Sequence, residues 1–191
     1  GCVGIVITAY TKKEKVALKI RRTDADRKTM HREAKLLKKA NQTNIAPKLL
    51  AATKNLLTMQ FIEGELLPQW LQNNITNKTA TRKILKNILL QCRRLDTIGL
   101  DHGELSHAPK HIIINKKNQP VIIDFETASP NRKQSNLTSI CQYLFISKSQ
   151  PTHAYRLTET NKTKLIDTLR NYKKNTTQQN YKKILESCGL S

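Results

Sequence analysis

Four residues carry the chemistry that side-chain types and spacing allow in this 191-residue chain: Lys19, Glu33, Glu104 and Asp124. Lys19 ends the apolar run Val16-Ala17-Leu18-Lys19, and Glu33 follows 14 positions later within a segment of helical spacing. A strand ammonium opposite a helical carboxylate is a fixed cation, the kind of group that can orient a polyanion. Asp124 closes Val121-Ile122-Ile123-Asp124-Phe125. A carboxylate at the end of a buried strand must have a partner, because an unpaired charge is expensive away from water. Glu104, in His102-Gly103-Glu104, can accept a hydroxyl proton or orient the hydroxyl that carries it. The order of these pieces along the chain is the signal, more than any one of them.

The elements that must position them read as a β-rich first third and an α-rich remainder. Gly4 to Ile7 and Lys15 to Ile20 are predicted strands joined by the polar turn Thr11-Lys12-Lys13-Glu14. Thr23-Asp24 reads as a cap, followed by a helix of about four turns with Met30, Ala34, Leu36, Leu37 and Ala40 at helical spacing. Lys48 to Ala52 and Leu56 to Ile62 are extended, with Lys54-Asn55 between them. Gly64 and Pro68 mark the change of regime, and from Trp70 to Gly99 the pattern is mainly helical. There Ile84, Ile88, Leu89, Cys92 and Leu95 share one face. Ile112 to Ile114 and Val121 to Ile123 are short buried-type strands around Lys116-Lys117-Asn118. Leu137 to Ile146, Leu165 to Tyr172 and Tyr181 to Cys188 close the chain as helices.

Length and composition predict one domain over residues 1–191, large enough for a core without disulfides or a structural metal. Apolar residues are 38% and charged residues 25%, with 34 Lys+Arg against 14 Asp+Glu, a formal charge of +20. Such an excess implies an anionic partner: a nucleotide, structured RNA or an acidic protein. A compositional habit spread over many lysines accounts for it equally well. Aromatics are 5%, too few for stacking along a single strand. Cys2, Cys92, Cys141 and Cys188 have no metal-ligand spacing and read as reduced structural thiols. No apolar run reaches a membrane span and no signal segment opens the chain, so no membrane partner and a cytoplasmic location are expected.

The order hairpin, V-A-L-K, helix with Glu33, strand-turn-strand, helix, H-G-E and I-I-D-F resembles the protein-kinase superfamily. Within it the chain is most similar to the small atypical RIO/Bud32-type archaeal serine/threonine kinases, and through Asp124-Phe125-Glu126 to aminoglycoside and choline kinases. The resemblance covers Gly1 to Ala128. It implies an α+β, two-lobed fold: an antiparallel β N-lobe with one helix over 1–63 and a shortened, mainly helical C-lobe over 64–191. ATP and Mg²⁺ would occupy the cleft between them. Lys19 would contact the α and β phosphates with Glu33 as its ion-pair partner, and Asp124 would hold the metal. Gly1 and Gly4, followed by Val6, look like the end of a glycine-rich phosphate loop whose leading glycine is expected upstream. Ala17, Met59 and Ile123 join the nucleotide-binding set, Met59 deepest. Gln60 and Ile62 would present backbone to adenine, with Gly64 giving room to turn.

Three departures from the family pattern bear on function. Glu104 stands where the catalytic Asp would be, one methylene longer. Glu126 replaces the Gly after Asp-Phe. His111 falls where a metal-binding Asn would be, with two extra loop residues, and His is a poor Mg²⁺ ligand. Lys110 or Asn115 could compensate. His102 is expected to pack under the loop, and Ser106 and His107 either touch phosphate or are polar loop residues. The expected activity is phosphoryl transfer from ATP to a serine or threonine hydroxyl of a protein substrate, with Glu104, Lys19 and Asp124 as catalytic groups. Glu104, His111 and the +20 charge leave open a catalytically weak ATP-binding subunit of an RNA-associated complex, and D-F-E leaves open a small-molecule kinase.

Overall fold

Lys19 sits on a strand that is paired on both sides. In a computed structural model, which describes residues 4–25, 29–147 and 154–191, β1 (Gly4–Tyr10) and β2 (Lys15–Arg21) form an antiparallel hairpin. Gly1 and Cys2 lie outside the described residues. Thr11 closes the turn, its N–H donating to the Glu14 carbonyl and its Oγ1 accepting the Glu14 N–H. On its other side β2 pairs antiparallel with β4 (Leu56–Gln60), which pairs with β3 (Leu49–Ala52), giving the order β1-β2-β4-β3. Lys19 thus lies opposite Val6 on one neighbour and Leu57 on the other.

Helix α1 (His31–Asn41) begins seven residues later than the Thr23-Asp24 cap predicts. The Asp24 carboxylate is taken by the Arg22 guanidinium at 2.9 and 2.6 Å. The Met30 N–H donates to the Lys54 carbonyl, which pins the helix entry to the β3–β4 turn. The 11-residue helix, three turns rather than four, buries Glu33, Ala34, Leu36, Leu37 and Ala40. Bonds that tie this lobe to the next include Lys39 Nζ donating to the Gly99 carbonyl at 3.1 Å and the Ile122 N–H donating to the Ile45 carbonyl at 2.9 Å.

The second lobe carries a three-stranded antiparallel sheet, β5 (Gly64–Leu66), β6 (Ile112–Asn115) and β7 (Pro120–Ile122). Three residues are too short to show alternation, so β5 was not legible as a strand. Gly64 pairs with Asn115, and a Cβ there would run into the Ile114 carbonyl, so close strand approach rather than a turn requires the glycine. The helices are α2 (Leu67–Asn73), α3 (Lys78–Thr97), α4 (Asn136–Cys141), α5 (Ala154–Leu157), α6 (Lys162–Lys174) and α7 (Gln178–Ser187). The predicted helical stretch from Trp70 breaks at 74–77, where the Asn77 side chain accepts the Ala80 N–H and caps α3. A 3₁₀ segment (Leu105–Lys110) precedes β6, and α4 runs on into a π-type turn (Gln142–Ile146). Cys92, Cys141 and Cys188 are free and buried. Among the described residues no helix is long and apolar enough to cross a membrane.

Beneath the loop at 101–111 lies a buried polar scaffold. Asn136, 1% exposed, accepts the His102 N–H and donates to Asp96 and the Leu100 carbonyl, all at 2.8 Å. Asp96 also accepts the N–H groups of Asn136 and Leu137, so one carboxylate holds the first turn of α4. The His102 ring bonds the Ile123 carbonyl at 3.0 Å and packs edge-on against Phe125, which is the packing role expected of it. Burial chiefly lowers its pKa from the ordinary 6.5 to about 4.

Asn136→Ala strands three buried groups and should lower unfolding free energy by about 2–4 kcal/mol in urea titration. For His102 the unfolded chain takes the proton first, so stability present above pH 6.5 is lost as pH falls toward 4. Relative to His102→Asn, which does not titrate, the parent should lose about 3 kcal/mol more across that window. Parallel pH profiles for the two proteins would refute the assignment.

Candidate active site

Lys19 Nζ donates to three carboxylates: Glu33 Oε1 at 2.8 Å, Glu126 Oε2 at 2.8 Å and Asp124 Oδ1 at 3.2 Å. Burial pulls the ammonium toward neutrality, but Glu33, Asp124 and Glu126 together outweigh it and its pKa is raised. For Glu33 burial wins, and its pKa is raised despite Lys19; its Oε2 is buried with no hydrogen-bond partner. For Asp124 burial acts upward, yet the Lys19 charge and hydrogen bond hold it below the usual carboxylate range.

Asp124 is turned into the cleft by its backbone. It adopts φ 65°, a left-handed conformation costing a non-glycine residue roughly 1–2 kcal/mol. Ile122 and Phe125 are both buried in the core, and the two residues between them, Ile123 and Asp124, line the cleft. Ile123 is bracketed by the loop, its N–H donating to the His111 carbonyl and its carbonyl bonded by His102.

The loop brings Glu104 and His111 to the same place. Gly103 has φ 96°, and a Cβ there would strike the Arg132 guanidinium, so only glycine fits between His102 and Glu104. His111 Nε2 lies 3.2 Å from Glu104 Oε2. One donor atom each from Glu104, His111 and Asp124 falls within 4.8 Å of the others. Lys110 lines the cleft beside them and has no ion pair among the described residues. Asn115 is elsewhere: its Oδ1 accepts the Lys117 and Gln119 N–H groups and closes the β6–β7 turn. Ser106 and His107 bond each other at 3.1 Å and do not line the cleft.

The cleft is a cavity of about 470 Å³ between the lobes. Val6, Ala17, Met59, Ile113 and Ile123 give it apolar walls, and Lys19, Glu33, Glu104, His111, Asp124 and Glu126 form its polar end. Gly4 does not line it; a Cβ there would meet the Ile20 carbonyl oxygen at 2.9 Å and Lys19 Cγ at 3.0 Å, so this glycine makes room for the backbone of β2 and the lysine stem. Gln60 lines the cleft, and its N–H donates to the Lys48 carbonyl at 2.9 Å. Ile62 differs: among the described residues neither its N–H nor its carbonyl has a hydrogen-bond partner. Glu126 was read from sequence only as a departure. The signal that could have marked it is its place two residues beyond Asp124 in a chain with only 14 acidic residues.

Comparison with known proteins agrees with this geometry. The family model described as the RIO domain matches residues 6–140, a span that contains β2, α1, the loop and the Asp124 turn. An uncharacterized protein of Methanocaldococcus jannaschii is 32% identical over 87 residues, covering 46% of this chain and 72% of that protein. With a match over well more than half of its length and a two-lobed α+β fold behind it, the chain belongs to the RIO domain family, an atypical protein-kinase-like family.

Proposed function

We propose that the cleft binds ATP and that the chain transfers the γ-phosphoryl group to a serine or threonine hydroxyl of a protein. The observation that carries this reading is Lys19 Nζ, fixed by Glu33, Asp124 and Glu126 at the polar end of an otherwise apolar cleft. The apolar walls suit an adenine ring, and the open backbone of Ile62 offers it a donor and an acceptor. Lys19 meets the phosphates, held in place before they arrive, so no side-chain ordering remains to be done at that point. Lys110, without an ion pair among the described residues, is a second cation for them. Glu104 accepts the hydroxyl proton as the hydroxyl oxygen bonds to the γ phosphorus and ADP leaves. Mg²⁺ is poorly served here, because one of the three clustered donors is an imidazole.

A second reading has one observation behind it. Glu104 is engaged with His111 at 3.2 Å, and a base so occupied favours nucleotide binding or slow hydrolysis without transfer to a protein. The small-molecule kinase reading rested on D-F-E, and Glu126 has its own explanation as a Lys19 partner.

Single-turnover incubation with γ-labelled ATP tests both. The parent should move label onto protein serine or threonine. Glu104→Gln should slow transfer about 10²–10⁴-fold while nucleotide affinity holds. Lys19→Ala should weaken nucleotide binding itself. Label that appears only as free phosphate selects the second reading, and full transfer by Asp124→Asn rejects the proposal.

A further inference from the structure

Helix α3 carries six cations, Lys78, Arg82, Lys83, Lys86, Arg93 and Arg94, and a single acid, Asp96. That acid is no counter-charge on the surface, because it is buried and taken up by Asn136, Leu137 and Tyr172. Lys83, Lys86, Leu90 and Arg94 recur at helical spacing and form one stripe along α3, about 17 Å from end to end. Tyr181, Lys182, Leu185 and Glu186 form the opposite wall from α7, and the two helices enclose an open groove of about 820 Å³. Lys83, Lys86, Arg94 and Lys182 are exposed and make no ion pair among the described residues. The acidic side chain among the lining residues is Glu186, so cations dominate the groove. Lys83 and Lys86, neighbours on the same face, repel each other, and an anionic partner relieves that repulsion.

Two classes of anion answer to such charge: the phosphate backbone of a nucleic acid and the carboxylates of a protein. The midline of the groove decides between them. Leu90 sits half-buried in the middle of the stripe, and Leu185 and Tyr181 continue the apolar floor. An apolar midline between cationic rims offers nothing to a phosphodiester chain, but it receives the apolar face of an amphipathic helix. Nor is Tyr181 free to stack on a base: it is 5% exposed, and the Arg93 guanidinium lies over its ring at 5.0 Å from the centroid.

We propose that the α3–α7 groove docks an acidic amphipathic helix of a partner protein, its apolar face on Leu90 and Leu185 and its carboxylates on Lys83, Lys86, Arg94 and Lys182. About three turns of such a helix match the stripe. No residue lines both this groove and the cleft, so docking stands or falls independently of the phosphotransfer reading.

The test uses the full chain without nucleotide and a fluorescein-labelled helical peptide of about five turns, a leucine stripe flanked by glutamates, followed by fluorescence anisotropy at about 0.1 M salt. A peptide of the same composition in scrambled order and an RNA duplex of about 16 base pairs are the comparison probes. Expected is saturable binding of the amphipathic peptide, with the scrambled one weaker by at least about tenfold. Lys86→Glu with Arg94→Glu should weaken binding at least about tenfold, and Leu90→Gln about fivefold. Lys12→Glu with Lys13→Glu, an equal change of net charge in the exposed β1–β2 turn, should leave it within about twofold. Lys182→Glu, on the opposite wall, should weaken it too and keeps the test open should an α3 variant fold poorly in urea titration. No saturable binding, equal binding of the scrambled peptide, equal loss in the β1–β2 turn variant or no change in Leu90→Gln overturns the proposal. An RNA duplex that binds more tightly than the peptide and is lost with the same groove variants overturns it as well, and assigns the groove to nucleic acid.

Discussion

Lys19 Nζ gathers three segments that lie far apart in the chain: its own central strand, α1 through Glu33, and the exit from β7 through Asp124 and Glu126. A buried ammonium is tolerable only when it is paired, and removing one partner from such a pair commonly costs about 3–5 kcal/mol. The converse holds for the acids, which are three to one cation. Burial pushes Glu33 up while Lys19 keeps Asp124 down, so the surplus negative charge is unevenly shared. The same interaction therefore fixes the helix, the sheet and the second lobe around one cleft.

The second lobe contributes by bracing backbone. Asn136 holds the His102 N–H, the His102 ring holds the Ile123 carbonyl, and the His111 carbonyl holds the Ile123 N–H. This chain of bonds runs from a fully buried polar scaffold to the residue just before Asp124. It is what maintains the left-handed turn at Asp124, a conformation that the aspartate would not keep without support. Many of the polar groups beneath the cleft thus serve to brace backbone.

Much of this was legible from local pattern. The β1–β2 hairpin, the amphipathic face of α3 and the β6–β7 hairpin follow from alternation, helical spacing and turn residues, and they came out where the pattern put them. Local reading failed where a residue had two partners to choose from. Asp24 could cap a helix or pair with Arg22, and the neighbouring guanidinium took it. Asn115 could serve the site or its own turn, and the turn, two and four residues away, won.

The sequence by itself determined the order of the elements, the strand lysine, the helical glutamate and the buried aspartate, because each is written in a short window of periodicity and type. Only the tertiary structure decided that Glu126 completes the Lys19 cage, that Gly4 yields to the lysine stem, and that His111 meets Glu104 rather than solvent. Those outcomes depend on distances between segments up to 107 residues apart, set by how the sheet, α1 and the loop pack. Spacing along the chain carries no record of such distances; burial and charge pairing create them when the lobes close on one another.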